Sequence, residues 1–390
     1  MDIFENSWAG VVTEAHLSNL TSLKDLSIAK YSLSSYLSLV FNVITQWIPP
    51  FKLRYIKLRS CQVGPRFPAW FRNQNELETL ILRNARISDT LPEWLSKLNL
   101  QLNELDLGYN EISGRVPNSL KFRPQSTVYL NQNSFEGPLP LWTSNVSALF
   151  FSTISFLGQF IRTLAKDMLT LDLGDNRLSG NIPEWIGEMM PSVLILCLRS
   201  NLFEGKLPSE LCSLSSLYIL DPTENNFSGA IPSCFGNLSG MTYDLDIHRY
   251  EGKLLVVTKG TELLYENTLS LVNIIDLSSN NLSGEVTEEL TDLSRLGTLN
   301  LSINHLTGKI PEKIGSLQPL ETLDLSRNQF SAPILPSRTS LTSMNYLNLS
   351  YNNFTGQIPS GNQFETVNDP SIYEGNLCTL WASVNNQVQW

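Results

Sequence analysis

Between residues 275 and 359 one phrase recurs four times, and its period constrains the chain more than any other feature. The lines are Ile275-x-Leu277-x-x-Asn280-x-Leu282-x-Gly284, Leu299-x-Leu301-x-x-Asn304-x-Leu306-x-Gly308, Leu323-x-Leu325-x-x-Asn328-x-Phe330 and Leu347-x-Leu349-x-x-Asn352-x-Phe354-x-Gly356. Successive asparagines stand 24 residues apart. A fixed period of this length marks a supersecondary unit that cannot bury its apolar side alone and must stack on its neighbours. Two leucines spaced two apart on a strand point the same way, into the stack, and the residue between them points out. The asparagine follows where the chain turns off the strand. Its amide can pair main-chain groups that would otherwise be buried without partners. In Gly308-Lys309-Ile310-Pro311 and Gly356-Gln357-Ile358-Pro359, glycine permits a bend, isoleucine is buried and proline fixes φ.

This phrasing predicts an α/β fold of the leucine-rich-repeat solenoid type: a curved right-handed coil with a parallel sheet on its concave face. The register runs back through Asn225, Asn201, Asn176, Ile154, Asn133, Asn110, Ala85, Cys61 and Tyr31. A long step between Tyr31 and Cys61 predicts a loop-out over residues 34–50, and Pro222, at an inward strand position, predicts a weak turn. The step from Asn225 to Asn280 holds one period plus an insertion. The organisation read from this is repeats over 1–235, an island over 236–271 carrying a small folded element in its apolar run, four repeats over 272–360, and an incomplete cap and tail over 361–390.

The chain has 390 residues and a net charge of −10, which disfavours nucleic acid and anionic membranes as partners. No run of 18 apolar residues occurs. The opening Met1-Asp2-Ile3-Phe4-Glu5 lacks the basic start and apolar core of a signal peptide and leads into the back half of a repeat, so a truncated sequence is expected. Only three histidines are present, at unrelated positions, and no metal or phosphate motif is found, so neither an enzyme nor a cofactor is expected. Sequons fall at Asn19, Asn145, Asn226, Asn237, Asn281, Asn300, Asn348 and Asn353. Several arise from the repeat phrase itself and are weak evidence for secretion. Cys212 and Cys234 fall on the backs of successive turns, about 4.8 Å apart, a spacing that suits a disulfide. Cys61 is expected to be a buried thiol.

Three features make the chain resemble the extracellular part of plant leucine-rich-repeat receptor-like proteins, the group holding fungal-xylanase receptors and Cf-type disease-resistance proteins. These are the Gly-x-Ile-Pro phrase, Tyr250 followed after eight residues by Lys259-Gly260, and the closing lines Gly361-Asn362-Gln363-Phe364 and Tyr373-Glu374-Gly375-Asn376-Leu377. The resemblance stops at Cys378-Thr379, where that family continues with a second cap cysteine, an acidic segment and a membrane helix. It implies the ectodomain of an immune receptor at the outer face of the plasma membrane. Such a receptor would bind a protein or peptide elicitor, then co-receptor and adaptor receptor-like kinases, with Tyr250, Lys259 and Gly260 at the co-receptor edge. Two alternatives stay open: a soluble inhibitor of microbial cell-wall hydrolases, similar to polygalacturonase inhibitors, and a non-functional truncated product.

Outward strand positions of successive turns form one surface. In the last four turns they are small and repetitive, and Asp276 and Asp324, like Asp172 upstream, read as solvated face residues. Upstream the outward positions diverge: Lys57, Arg59, Arg83, Asp106, Tyr109, Tyr129, Phe150, Asp172 and Asp175 are the candidate ligand-binding residues. Tyr129 and Phe150 occupy equivalent slots on adjacent turns, which predicts an exposed aromatic pair at the centre of a charge gradient. The alternative for Phe150 is that the 21-residue step from Asn133 to Ile154 tilts it inward.

Overall fold

The computed structural model describes residues 2–4, 9–29, 39–142, 145–160, 166–243, 254–258, 261–265, 272–334, 341–356 and 369–377. The chain divides into two units, Met1–Ser179 and Gly180–Trp390. In the first, parallel strands Asp2–Phe4, Asp25–Ala29, Tyr55–Arg59, Thr79–Ile81, Leu102–Asp106, Phe122–Tyr129, Val146–Phe150 and Thr170–Asp172 pair each with the next. In the second, Ile195–Cys197, Ile219–Asp221, Ile274–Asp276, Thr298–Asn300, Thr322–Asp324 and Tyr346–Asn348 do the same. Equivalent positions stack in register, as in the row Leu80, Leu105, Val128, Leu149 and Leu171, all buried. This is the solenoid that the period predicts.

After each asparagine the chain forms a second short strand. In the second unit these are Leu202–Lys206, Asn226–Gly229, Asn281–Glu285 and His305–Thr307, again parallel. Pro208, Pro232 and Pro311 then lead into the 3-10 turns Ser209–Ser213, Ser233–Asn237 and Glu312–Ser316, their preset φ matching the turn entry. These turns pack with little room. A Cβ on Gly236 would sit 2.2 Å from the Glu289 carbonyl oxygen, so only glycine fits there. Phe203 and Phe227 stack at 6.3 Å between ring centroids, and Phe330 and Phe354 at 6.1 Å, behind the ladder.

The asparagines carry out one repeated task. The Asn328 Nδ2 donates to the carbonyls of Leu301 on the preceding turn and of Leu325 and Ser326 on its own, while its Oδ1 accepts from Leu306 N–H. Asn304 and Asn352 repeat the set one turn earlier and one turn later. Asn376 is a further rung, donating to Leu349 and Tyr373 carbonyls and accepting from Phe354 N–H. The sequence reading placed it in the cap motif alone, although it lies one 24-residue step after Asn352. At Cys61 a thiol takes the slot, with Sγ 3.8 Å from the Ile28 carbonyl and 3.6 Å from that of Arg59. Burial pushes its pKa up to about 12, so it remains a thiol.

Two expectations are corrected. The turn at Pro222 is intact. Proline removes the main-chain donor that would reach the next strand, and the Thr223 hydroxyl supplies it instead, donating to Asp276 O at 3.3 Å. The Pro222 carbonyl is used twice, by Asn225 and Asn280. Nor do residues 39–50 loop out: Leu39–Phe41 pairs in parallel with Gly10–Val12, and Trp47 packs edge-on against Phe51 and Trp70. The apolar residues of this stretch supply a strand and an anchor that the long step concealed. Cys212 and Cys234 form a disulfide with Cα atoms 5.8 Å apart. In the insertion, Leu254–Thr258 and Thr261–Tyr265 form an antiparallel hairpin with Leu254 and Val256 buried. Tyr31, Tyr250, Lys259, Gly260 and Cys378 lie outside the described residues.

Asn328→Ala strips one amide from three carbonyls and one N–H, and buried groups left unpaired cost about 1–3 kcal/mol each. The expected loss of stability in urea unfolding is about 3 kcal/mol, against a change within about 0.5 kcal/mol for the exposed Gln329→Ala. Equal effects would refute the rung's role.

Candidate functional site

On the outward face of the first unit, three positions per turn are available: the residue between the paired apolar ones, the residue two further on, and the residue before the asparagine slot. The last of these turns the chain and takes positive φ, as in Tyr109 (58°), Gln132 (57°), Thr153 (55°) and Asp175 (53°). The middle position tends to be small because the first often folds back onto it. Asp106 Oδ1 accepts from Gly108 N–H at 2.9 Å and Asp172 Oδ1 from Gly174 N–H at 3.1 Å.

The second unit shows the same device at Asp221, Asp276, Asn300, Asp324 and Asn348, each capping the N–H two residues on. Aspartate and asparagine at this slot are therefore local turn formers. The expectation of solvated acids is corrected for Asp172 and Asp276, which are buried at 5% and 3% exposure, whereas Asp324 is half-buried; Asp106 is buried as well, at 6%.

The candidate residues divide into those brought together and those held elsewhere. Arg83, 9% exposed, places Nη1 3.4 Å from Asp106 Oδ1. Its guanidinium lies over the Tyr109 ring at 4.4 Å and 5.9 Å from the Tyr129 ring. Tyr129 in turn stacks on Phe150, centroids 4.4 Å apart and planes at 10°. The result is one row: Tyr109, Arg83, Tyr129, Phe150.

Phe150 is not an exposed partner. It lies in register with Tyr129 and Asp172 and is only 2% exposed, its ring stacked on that of Tyr129. Asp172 and Asp175 belong to a separate polar set, accepting from Ser152 at 2.7 Å and Thr153 at 3.4 Å. Lys57 and Arg59 are half-buried together on the strand Tyr55–Arg59, one step nearer the N-terminus. The charge gradient collapses at its centre into the Arg83 and Asp106 pair.

Sequence reading missed Glu104. It sits two residues before Asp106 on the same strand face, in register between Thr79 and Thr127. Burial and then Asp106 raise its pKa to about 7, against the pull of Lys57. Strand alternation was the available signal. Among the described residues no cluster of three or more His, Cys, Asp or Glu could hold a metal ion.

With this geometry in hand, comparison with known proteins is informative. Residues 76–98, 101–122, 168–189, 295–317, 319–341 and 343–372 match the Leucine Rich Repeat family. Receptor-like protein EIX2 of Solanum lycopersicum is 34% identical over 379 residues, covering 74% of this chain and 36% of the relative. Receptor-like protein EIX1 of the same species is 35% identical with the same coverage. The chain belongs to the plant leucine-rich-repeat receptor-like proteins. It spans about a third of the length of these relatives. Among solved structures, the Arabidopsis receptor kinase HAESA ectodomain bound to an IDA peptide hormone shares the fold at TM-score 0.67 and 23% identity, covering 94% of this chain and 60% of that one. The peptide hormone receptor RGFR1 in complex with RGF2 does so at 0.66 and 20%, covering 97% and 63%. No helix among the described residues is long and apolar enough to cross a membrane.

The structure separates the sequons by exposure. Asn19, Asn145, Asn226, Asn237, Asn281 and Asn353 are exposed. Asn300 and Asn348 are not suited to modification. Asn300 Nδ2 donates to Asp276 Oδ2 at 3.0 Å and Ser278 Oγ at 3.2 Å, and its Oδ1 accepts from Ser302. Asn348 repeats this with Asp324 and Ser350. Peptide mapping of secreted protein should find glycans among the exposed six and none at Asn300 or Asn348.

The alternation Asp276, Asn300, Asp324, Asn348 lets each asparagine donate to the preceding aspartate. Asp221 and Asp276 break it, lying in one register on paired strands. Burial, then Asp276, raise the Asp221 pKa to about 7, opposed by Arg199. The Asp276 carboxyl is also raised, by burial. A carboxyl whose folded pKa lies above its unfolded value stabilises the fold fully below the unfolded value, and that stability is lost as pH rises through about 7. The urea midpoint should therefore fall between about pH 5 and pH 8, with Glu104 contributing in the same direction. Asp221→Asn should flatten part of this decline, and an unchanged pH profile would contradict the assignment.

Proposed function

We propose that this chain is the ligand-binding part of a plant cell-surface immune receptor-like protein, taking a protein or peptide elicitor on the strand face between residues 57 and 175. The observation that carries this reading is the four-membered row Tyr109, Arg83, Tyr129 and Phe150; in the second unit the positions equivalent to Tyr129 and Phe150 are the turn formers Asp276, Asn300, Asp324 and Asn348, and a single Arg327 and Tyr351 contact stands beside them. Tyrosine and arginine dominate protein-binding surfaces because they present large, stiff area with polar ends. Folding does not call for tyrosine at the positive φ of Tyr109, since the same slot holds Thr153, Asp175, Ser200 and Ser279 on other turns.

Relatives of the same family named as receptors, and ectodomains of this fold solved with peptide hormones, support a binding role over catalysis. By the same reasoning the intact protein sits at the outer face of the plasma membrane and signals through co-receptor and adaptor receptor-like kinases. Tyr250, Lys259 and Gly260 are proposed at that contact.

The test is titration of a purified fungal xylanase, chosen because the group the chain resembles includes fungal-xylanase receptors, against the immobilised secreted chain. Tyr129→Ala should weaken binding by about 2 kcal/mol, roughly thirtyfold, while Ser326→Ala in the second unit leaves it unchanged. Phe150→Ala is unsuitable as a binding probe, because emptying that buried site should cost about 3 kcal/mol of stability. Undiminished binding by a folded Tyr129→Ala chain would remove the ligand from this face.

A further inference from the structure

The slot before the asparagine turns the chain at positive φ, and three successive turns of the second unit fill it with large side chains. Ser200, Glu224 and Ser279 hold it first; Ile303, Arg327 and Tyr351 follow, at φ of 54°, 53° and 54°. A β-branched or bulky residue is strained in this region, where glycine and small polar residues are at ease. Burial does not offset the strain, since Ile303 is 49% exposed, Tyr351 is 41% exposed and Arg327 is exposed as well. Neither the backbone nor the core selects these side chains. Strained residues of this kind cluster at binding sites and ligand clamps.

The three stand in one row. The main-chain N–H of Ile303 donates to Ser326 O, that of Arg327 to Ser350 O and that of Tyr351 to Glu374 O, so their turns lie about 4.8 Å apart. The Arg327 guanidinium lies over the Tyr351 ring, 4.6 Å from its centroid. Gly375 occupies the same slot on the next turn, and a Cβ there would stand 2.6 Å from Tyr351 Cδ1, so the missing side chain seats the ring. The row is therefore in place before a partner arrives, which lowers the ordering cost of binding. Beside it Ser302, Ser326 and Ser350 are small and buried, leaving low ground next to the row.

The chemistry of the row selects its occupant. Asp324, on the same turn as Arg327, already accepts from Ser326 N–H, Asn348 Nδ2 and the Tyr346 hydroxyl, and Glu374 takes the hydroxyl of Tyr351. Among the described residues no carboxylate comes within ion-pair distance of Arg327. With a ring beneath it, the guanidinium keeps its N–H edge for a planar acceptor, and a carboxylate matches that fork. Ile303, one turn away, calls for an apolar counterpart. The Tyr351 ring is covered by the guanidinium instead of being left open to stack a sugar, so both contacts favour a polypeptide.

We infer that Ile303, Arg327 and Tyr351 form a second polypeptide-binding surface, on the second unit alone, which takes a partner's carboxylate on Arg327 and an apolar partner side chain on Ile303. In an extended segment, side chains on one side recur every two residues, about 6.6 Å apart. The apolar residue of the partner thus stands two positions from the acid.

The test uses a random linear-peptide library, depleted on an Ile303→Ser, Arg327→Ser, Tyr351→Ser triple variant and then panned on the immobilised wild-type chain. Serine holds this slot at Ser200 and Ser279, so the triple variant should fold; if it does not, the single variants decide. Selected peptides are synthesised with free and with amidated C-termini, separating a terminal carboxylate from a side-chain one, and titrated against Arg327→Ala, Ile303→Ser and Tyr129→Ala. The expected result is a required carboxylate from either source, an apolar residue two positions away, and binding about tenfold weaker to Arg327→Ala and to Ile303→Ser. Replacing the peptide's acid by its amide should cost a similar factor on the wild type and nothing more on Arg327→Ala. Tyr129→Ala should bind these peptides as the wild type does, so a failure of the elicitor face proposed on the first unit leaves the row standing. Absence of binders after depletion, binders without a carboxylate, affinity retained in Arg327→Ala, or affinity lost in Tyr129→Ala would overturn the surface. So would thermal melting of Ile303→Ser well below the wild type, which assigns the row to folding.

Discussion

A main-chain carbonyl that turns inward between stacked coils has no water to accept from, and the fold depends on supplying it a donor at every turn. The asparagine amide does this across two turns at once, binding carbonyls of its own turn and of the turn before. Spacing is therefore fixed at the amide. The leucines provide most of the apolar burial, but leucine contacts tolerate sliding and hydrogen bonds do not. The Cys61 thiol reaches carbonyls in place of the amide at longer sulfur distances, while at Ala85 and Ile154 the coil continues with no side-chain donor in the slot.

This explains which parts of the molecule could be read from sequence. The repeat phrase contains both the inward pattern and the amide, so the coil, its register and the Cys212 to Cys234 bridge follow from counting. What could not be counted were replacements by residues outside the phrase. Thr223 stands in for the donor missing at Pro222, and Leu39–Phe41 recovers a strand within a stretch whose length suggests a loop. Asn376 was hidden by its membership of a cap motif. At Thr223 and Asn376 a side chain serves a main-chain group that composition does not mark.

The outward face was legible in part. Divergence between equivalent positions identified Arg83, Tyr109 and Tyr129, which the structure assembles into one row. It also credited Asp106 and Asp172 with a free surface role, when their first duty is to cap the turn beneath them. Phe150 was assigned by slot, and slot predicts direction, not exposure. Glu104 was overlooked because it lies one strand position before the phrase begins. Variation among outward residues thus mixes two causes, local turn chemistry and ligand chemistry, and only the side-chain partners separate them.

The alternating row of Asp276, Asn300, Asp324 and Asn348 bears on how such a chain can lengthen or shorten. Each asparagine donates to the aspartate of the turn before it, so the smallest module that can be copied with every such bond kept is a pair of turns. Loss or gain of a single turn from this stretch joins aspartate to aspartate or asparagine to asparagine. The junction of Asp221 with Asp276, where the insertion enters, has the first of these mismatches.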